Sequence, residues 1–269
     1  MYEFDFKDET FDINELNNYS LFIKISESNF AYCLFDIKRN KFTRLKSAII
    51  QNNIETFFAD DIFKQYSGKV KFVVYSTKTI IVPKAFYSLE KEANILEFNV
   101  SIDNNEEIYR NKLRNDSYNI FTINKNILAL IKSNFTNFAI YNQASVIINE
   151  NFVNQSKDKT TLLIESEKQF IDVSLFIKSQ LIFKNTFSYK TSTDFVFFVL
   201  NIFDKFNLQP EKIELIISGI FTNESNEIIM LSNYIKKIKY AKPSLNYSYV
   251  FNDTKISKFT NLLNLIHCE

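Results

Sequence analysis

Leu21-Phe22-Ile23-Lys24-Ile25-Ser26-Glu27-Ser28-Asn29-Phe30-Ala31-Tyr32-Cys33-Leu34-Phe35 is the stretch on which the reading of the fold turns. Apolar residues crowd both ends, and a polar break at 26–29 separates them. Runs this short, rich in Ile, Phe, Tyr and Leu, predict two buried strands joined by a turn. Lys38-Arg39-Asn40-Lys41 supplies a second turn, and 42–45 closes a three-strand meander. Downstream, Ile54, Phe57, Phe58, Ile62 and Phe63 recur at helical spacing and predict a helix over 53–66. Gly68 ends that helix, and 70–75 reads as a buried parallel strand.

The second half repeats the order. Residues 161–166 read as a strand, Glu167-Lys168 as a turn, 169–176 as a strand and 181–189 as the third strand. A helix over 193–206 follows, capped by Ser192 with Asp194 in its first turn. Pro210 lies in the connection, and 213–217 is the next buried strand. At an offset of 140, Ser26, Glu27 and Phe30 fall on Ser166, Glu167 and Phe170. Phe57, Phe58, Ile62 and Phe63 fall on Phe197, Phe198, Ile202 and Phe203, and Tyr66 meets Phe206. One gapless offset spanning strands and a helix predicts an internal duplication.

Around the repeats the pattern is less regular. Residues 1–18 read as a polar lead with a few aromatics. Residues 80–82 begin a strand, 86–98 read as a helix, 117–123 as a strand and 124–134 as a helix. A strand at 138–141 leads to a helix over 143–153. After the second repeat come a helix at 223–238, a strand at 247–251 and an amphipathic helix at 257–266. The expected organisation is a first domain at 1–155, carrying an inserted subdomain at about 84–140, and a second domain at 156–269.

The chain has 269 residues, room for one large domain or two ordinary ones, and its 29 Phe and 14 Tyr can fill a substantial core. A formal charge of +1 supplies no global field toward nucleic acid or an anionic membrane. The local basic clusters, at 38–41 and at Lys236-Lys237-Ile238-Lys239, read as a solvated turn and the frayed end of a helix. The first residues lack the basic and then apolar regions of a signal peptide, and no run of apolar residues is long enough to span a bilayer. Cys33 sits in an apolar strand, far in sequence from Cys268. A cytoplasmic protein without disulfides is expected.

A meander, a helix and a parallel strand, present twice, resemble the duplicated ribonuclease H-like core of the actin-like ATPases. The chain more closely resembles an uncharacterised Bacteroidetes family known as domain of unknown function 3822. That likeness runs from about Tyr19 to Glu269, through 21–36, Tyr141-Asn142-Gln143-Ala144-Ser145, 213–219 and the ending Leu262-Leu263-Asn264-Leu265-Ile266-His267-Cys268-Glu269. It implies an α/β, duplicated ribonuclease H-like (actin-like ATPase) fold with two mixed sheets flanked by helices. In that superfamily a nucleotide lies in a cleft between the copies.

The resemblance also implies specific turn residues. An Asp at the end of the first strand positions a metal, and glycines in the turn let backbone N–H groups approach phosphate. A later glycine-rich turn accommodates the adenosine. At offset 140, Lys24 and Ile164 stand where the Asp belongs, and Ser26 and Ser166 where the first Gly belongs. Glu27 and Glu167 occupy the turns, where a carboxylate repels a polyphosphate unless a metal intervenes. Of the two glycines, Gly68 and Gly219, only Gly219 lies where the adenosine turn belongs. Ser26, Glu27, Ser28, Ser166, Glu167 and Gly219 are therefore the candidate cleft positions, with no catalytic residue, metal or cofactor expected.

Other site chemistry is thin. His267 is the single histidine, and with Cys268 it makes half a metal site that no neighbouring Cys or His completes. No P-loop, dinucleotide fingerprint or zinc spacing is present. The expected function is a non-catalytic actin-like-fold protein acting as a binding or scaffold module with a protein partner. The alternative is a divergent ATP-binding protein or ATPase in which Glu27, with Glu165 or Glu167, holds a divalent cation. A third reading borrows from the membrane-assembly members of the superfamily, which dock short peptide tails.

Overall fold

Tyr2–Lys7 (β1) belongs to the expected polar lead, yet it is an edge strand in the computed structural model, which describes residues 2–50, 54–154, 159–243 and 253–268. Its residues alternate, with Phe4 and Phe6 half-buried and Glu3, Asp5 and Lys7 exposed, so period-two patterning outweighs low hydrophobicity. The meander follows as β2 (Tyr19–Ile25), β3 (Asn29–Asp36) and β4 (Lys41–Ile49). β1 pairs antiparallel with β4, and its Asp5 carboxylate accepts from Arg44 of that strand.

The helix expected at 53–66 is broken, and Asn53 itself lies outside the described residues. Ile54–Ala59 forms a 3-10 helix and Asp61–Gln65 a short α-helix (α1). Asp60 makes the break: its extended backbone caps α1, and its carboxylate accepts from the Ile62 N–H (3.1 Å), the Tyr32 hydroxyl (3.0 Å) and the Lys46 ammonium (3.1 Å). Val70–Val74 (β5) then lies parallel to β2.

The insertion is a three-stranded sheet of β6 (Thr79–Pro83), β7 (Glu106–Lys112) and β8 (Ser117–Asn124), in the order β6-β8-β7. The expected helix at 86–98 shortens to two 3-10 turns and α2 (Glu92–Glu97), whose Leu96 packs with Val82 and Ile120. Next come α3 (Lys125–Asn134), β9 (Phe138–Asn142) and α4 (Gln143–Asn154). β9 extends the first sheet, whose order is β1-β4-β3-β2-β5-β9. Phe72, Phe58, Phe63 and Phe135 interlock beneath it; full burial of one such side chain contributes about 2–3 kcal/mol.

The second sheet runs β12-β11-β10-β13-β14, built from β10 (Thr160–Ser166), β11 (Phe170–Ile177), β12 (Gln180–Ser188), β13 (Glu214–Gly219) and β14 (Ile238–Tyr240). α5 (Ser192–Lys205) covers it, with Phe195, Val199 and Ile202 in the core. Its cap is Thr191 rather than Ser192: the Thr191 hydroxyl accepts from the Asp194 N–H while the Asp194 carboxylate accepts from the Thr191 N–H. The helix expected at 223–238 is confined to α6 (Asn226–Leu231), and the basic residues at 236–239 lead into strand β14 instead of fraying a helix. The strand expected at 247–251 lies outside the described residues. The final helix expected at 257–266 is a series of short turns, 3-10 at Ser257–Phe259 and Asn264–His267 with one α turn between them.

By backbone contact the chain divides into two units. Of the described residues, 2–50, 54–149 and 261–268 belong to the first, and 150–154, 159–243 and 253–260 to the second. The division differs from a boundary at 155, because residues 261–268 fold back onto the first unit. There Lys71 donates to the backbone carbonyls of Leu265 and Cys268, Arg114 to that of His267 (3.1 Å), and Asn261 to the Tyr75 hydroxyl (3.0 Å).

Within their sheets the two copies share strand order, β4-β3-β2-β5-β9 matching β12-β11-β10-β13-β14. They also share one irregularity: the register slips between Leu34 and Phe35 in the first and between Leu175 and Phe176 in the second. This corrects the gapless offset. Lys24 pairs with Ala31 and Glu165 with Asp172, so the first hairpins correspond at 141, not 140. Under that correspondence Leu21, Ile23 and Phe30 match Leu162, Ile164 and Ile171, all facing the core of their own sheet. The helix ends keep 140, since Tyr66 and Phe206 each cap by donating to the carbonyl of Ile62 or Ile202.

Candidate functional site

The candidate positions form two groups, one in each unit. In the first, the β2–β3 turn closes on itself. The Ser26 N–H donates to the Asn29 carbonyl (2.9 Å), and the Asn29 N–H donates back to the Ser26 hydroxyl (3.1 Å). The Asn29 amide is anchored in turn on the Ala48 carbonyl (3.1 Å). The Ser28 carbonyl accepts from the Ile50 N–H (2.9 Å). Glu27 is exposed.

The second group is buried. Ser166 and Gly219 are parallel-strand neighbours at the ends of β10 and β13. Gly219 has φ +88°, and a Cβ there would lie 2.0 Å from the Ser166 carbonyl oxygen. That contact requires the glycine, independently of any ligand. The turn beyond it spends its donors on the same residue: the Ile220 N–H reaches the Ser166 carbonyl (3.1 Å) and the Phe221 N–H the Ser166 hydroxyl (3.1 Å). The Ser166 hydroxyl donates to the Ser218 carbonyl (2.8 Å). The Glu167 N–H donates to the Phe170 carbonyl (3.0 Å), and the Glu167 carbonyl accepts from the Tyr189 hydroxyl (3.0 Å). Burial, with Glu227 and Glu167 adding to it, pushes the Tyr189 phenol up to about 12, so it stays a neutral donor. The first unit repeats the outer bond, with the Tyr75 N–H on the Ile25 carbonyl (3.0 Å).

The corrected register moves one assignment. Glu165 and Glu167, not Ile164 and Ser166, occupy the positions in the second copy that correspond to Lys24 and Ser26 in the first. Glu165 is buried and its carboxylate accepts the Ser218 hydroxyl. Lys24 is also buried, its ammonium 4.4 Å from the centre of the Tyr75 ring. One copy thus carries a lysine and the other a glutamate at the strand end where the resemblance implies an Asp.

Sequence reasoning missed a buried polar network in the first unit. The Asn142 side-chain oxygen caps α4 by accepting the Ala144 N–H (3.0 Å), and it also accepts from Asn119 (3.1 Å). Asn119 reaches the Ser145 hydroxyl (2.9 Å), which donates to Asn111 (2.8 Å), whose own amide donates to the Ile140 carbonyl (2.8 Å). Gln143 clasps Ser76 through both its backbone groups. The network stitches the inserted sheet to β9 and α4, and Tyr141-Asn142-Gln143-Ala144-Ser145 is its centre.

The tail residues His267 and Cys268 pack on the first unit. Burial raises the Cys268 thiol to about 11. Burial, with Arg114 and Lys71 nearby, lowers His267 below the ordinary imidazole value of 6.5. A depressed imidazole pKa means the unfolded chain binds its proton first, so stability is lost as pH falls through 6.5. Comparing thermal unfolding at pH 7.5 and 5.5, His267→Gln is expected to lose less stability on acidification than the parent chain. Equal losses would show that His267 contributes nothing.

Among the described residues, no three His, Cys, Asp or Glu side chains group as metal ligands, and no helix is long and apolar enough to cross a membrane.

The family described as "Protein of unknown function (DUF3822)" matches residues 8–238. The chain belongs to that family. Its fold is the actin-like ATPase fold: a Bacteroides thetaiotaomicron protein of that fold and of unknown function superposes with a TM-score of 0.81 at 18% identity, over 97% of this chain and 100% of that one. The PilM-PilN type IV pilus biogenesis complex superposes with a TM-score of 0.63 at 10% identity, covering 93% and 98%. None of the curated proteins matches. These identities establish shared architecture alone.

Proposed function

We propose that this family member is a non-catalytic, cytoplasmic binding or scaffold module built on the actin-like fold. The observation that carries the reading is the turn after Gly219, whose Ile220 and Phe221 N–H groups are already held by Ser166. A phosphate or adenosine would have to displace those bonds, at about 1 kcal/mol or more each, in a turn that holds a single glycine. The Ser26 turn is closed in the same way by Asn29. A protein partner fits a fold that, in the PilM-PilN complex, belongs to a protein assembly.

Titration calorimetry with ATP and magnesium, followed by a phosphate-release assay, tests the reading. No binding heat at millimolar nucleotide and no turnover are expected. Micromolar binding with turnover would overturn the proposal in favour of a divergent ATPase. In that case Glu27, Glu165 and Glu167 become the carboxylates to replace by Gln.

A further inference from the structure

Among the described residues, the outer edge of the second sheet carries no further strand, whereas that of the first does. In the first sheet, β1 covers the outer side of β4. In the second, β12 is the last strand, and no strand among the described residues pairs with its outer side. The Tyr189 N–H donates inward to the Gln169 carbonyl. Backbone direction alternates along a strand, so Lys184, Thr186 and Ser188 point their N–H and C=O groups outward. Consistent with this, the Thr186 N–H is taken by its neighbour's side chain, Asn185, at 2.9 Å.

Such edges are normally guarded by an exposed lysine. Here Lys184 turns inward, 3.0 Å from Asp172, and is only 5% exposed. The flanks are apolar: Ile182 is 46% exposed, and Phe187 stacks on Phe198 (4.8 Å), which contacts Phe197, itself 63% exposed.

We propose that β12 pairs antiparallel with β12 of a second copy, joining two second sheets across a two-fold axis at Asn185. The sequence around that axis is self-complementary, as an isologous contact requires. Lys184 faces Thr186 of the second copy as a hydrogen-bonded pair, in both directions, with the Asn185 side chain giving up the Thr186 N–H to the incoming strand. Phe183 faces Phe187, again in both directions, as a close non-hydrogen-bonded pair, the arrangement that favours aromatic partners. Ile182 faces Ser188. Like charges never meet, because the one charge in the strand is neutralised by Asp172 within its own sheet. A single strand pair lies at the small end of stable interfaces, so a weak dimer is the expected state.

Sedimentation velocity from about 5 to about 500 µM tests the proposal on the full chain, with dimer expected to grow across that range. Asn185→Asp and Asn185→Lys each put like charges face to face on the axis, and each is expected to weaken dimerisation roughly tenfold. Mixing the two variants in equal amounts is expected to restore it, which also shows that each has folded. A wild-type chain monomeric at the highest concentration, either variant dimerising like wild type, or a mixture that stays monomeric would overturn the assignment.

Discussion

Gly219→Ala is expected to destabilise the second unit by roughly 3–5 kcal/mol, among the largest effects available to a single methyl group. The positive φ alone costs an L-residue about 1–2 kcal/mol. The larger part is steric: the new Cβ would sit 2.0 Å from the Ser166 carbonyl oxygen and 2.7 Å from its nitrogen, both backbone atoms of a central strand. Relief would require β10 and β13 to separate, which breaks the Ile220 and Phe221 bonds to Ser166 as well. Gly68→Ala is the comparison, since its nearest contact is the far end of the Tyr66 side chain, which can shift at the cost of its weak hydrogen bonds to Leu21 and Tyr19 rather than by parting two strands. Urea unfolding followed by far-ultraviolet circular dichroism measures both. Near-equal midpoints for Gly219→Ala and the parent would mean that the strand ends are looser than described.

The second large effect lies on the opposite face of the same sheet. Lys184 and Asp172 are 5% and 1% exposed, 3.0 Å apart, with the Thr186 hydroxyl touching both. Asp172→Ala strands a buried ammonium and is expected to cost about 3–5 kcal/mol. Lys184→Met is also costly, because it removes the ammonium beside the buried Asp172 carboxylate, which also has Glu165 as its cross-strand neighbour. The double replacement, Asp172→Ala with Lys184→Met, is expected to recover a large part of the loss, since two charges no longer need to be desolvated. Additive losses in that cycle would refute direct coupling of the pair.

Strand order was legible in the sequence because each buried strand of the two meanders is a compact apolar run between polar breaks. Register was not. β3 is buried throughout and carries no charged side chain from Phe30 to Phe35, so a slip of one position there leaves the apolar pattern unchanged. Only the hydrogen-bonded pairs reveal that Glu165, not Ile164, corresponds to Lys24. β7 escaped notice because Glu106-Glu107-Ile108-Tyr109-Arg110-Asn111-Lys112 lacks an apolar run and lies half-exposed.

Two helix boundaries were legible in principle. Asp60 just before Ile62 and Phe63, and Thr191 three residues before Asp194, are both capping signatures. The candidate turns were found because short polar breaks are local features. The Asn111, Asn119, Asn142 and Ser145 network was not, since its members come from separate segments and each alone resembles an ordinary surface residue.

The tail that folds back onto the first unit has a consequence for synthesis. Residues 261–268 leave the ribosome after every strand of the second sheet, yet they supply the carbonyls that Lys71 and Arg114 hold. The first unit therefore cannot complete its packing in the order in which it is made. During translation Lys71 and Arg114 wait without these partners while the second unit emerges and folds. These contacts join residues nearly two hundred positions apart, and closing so long a separation slows folding.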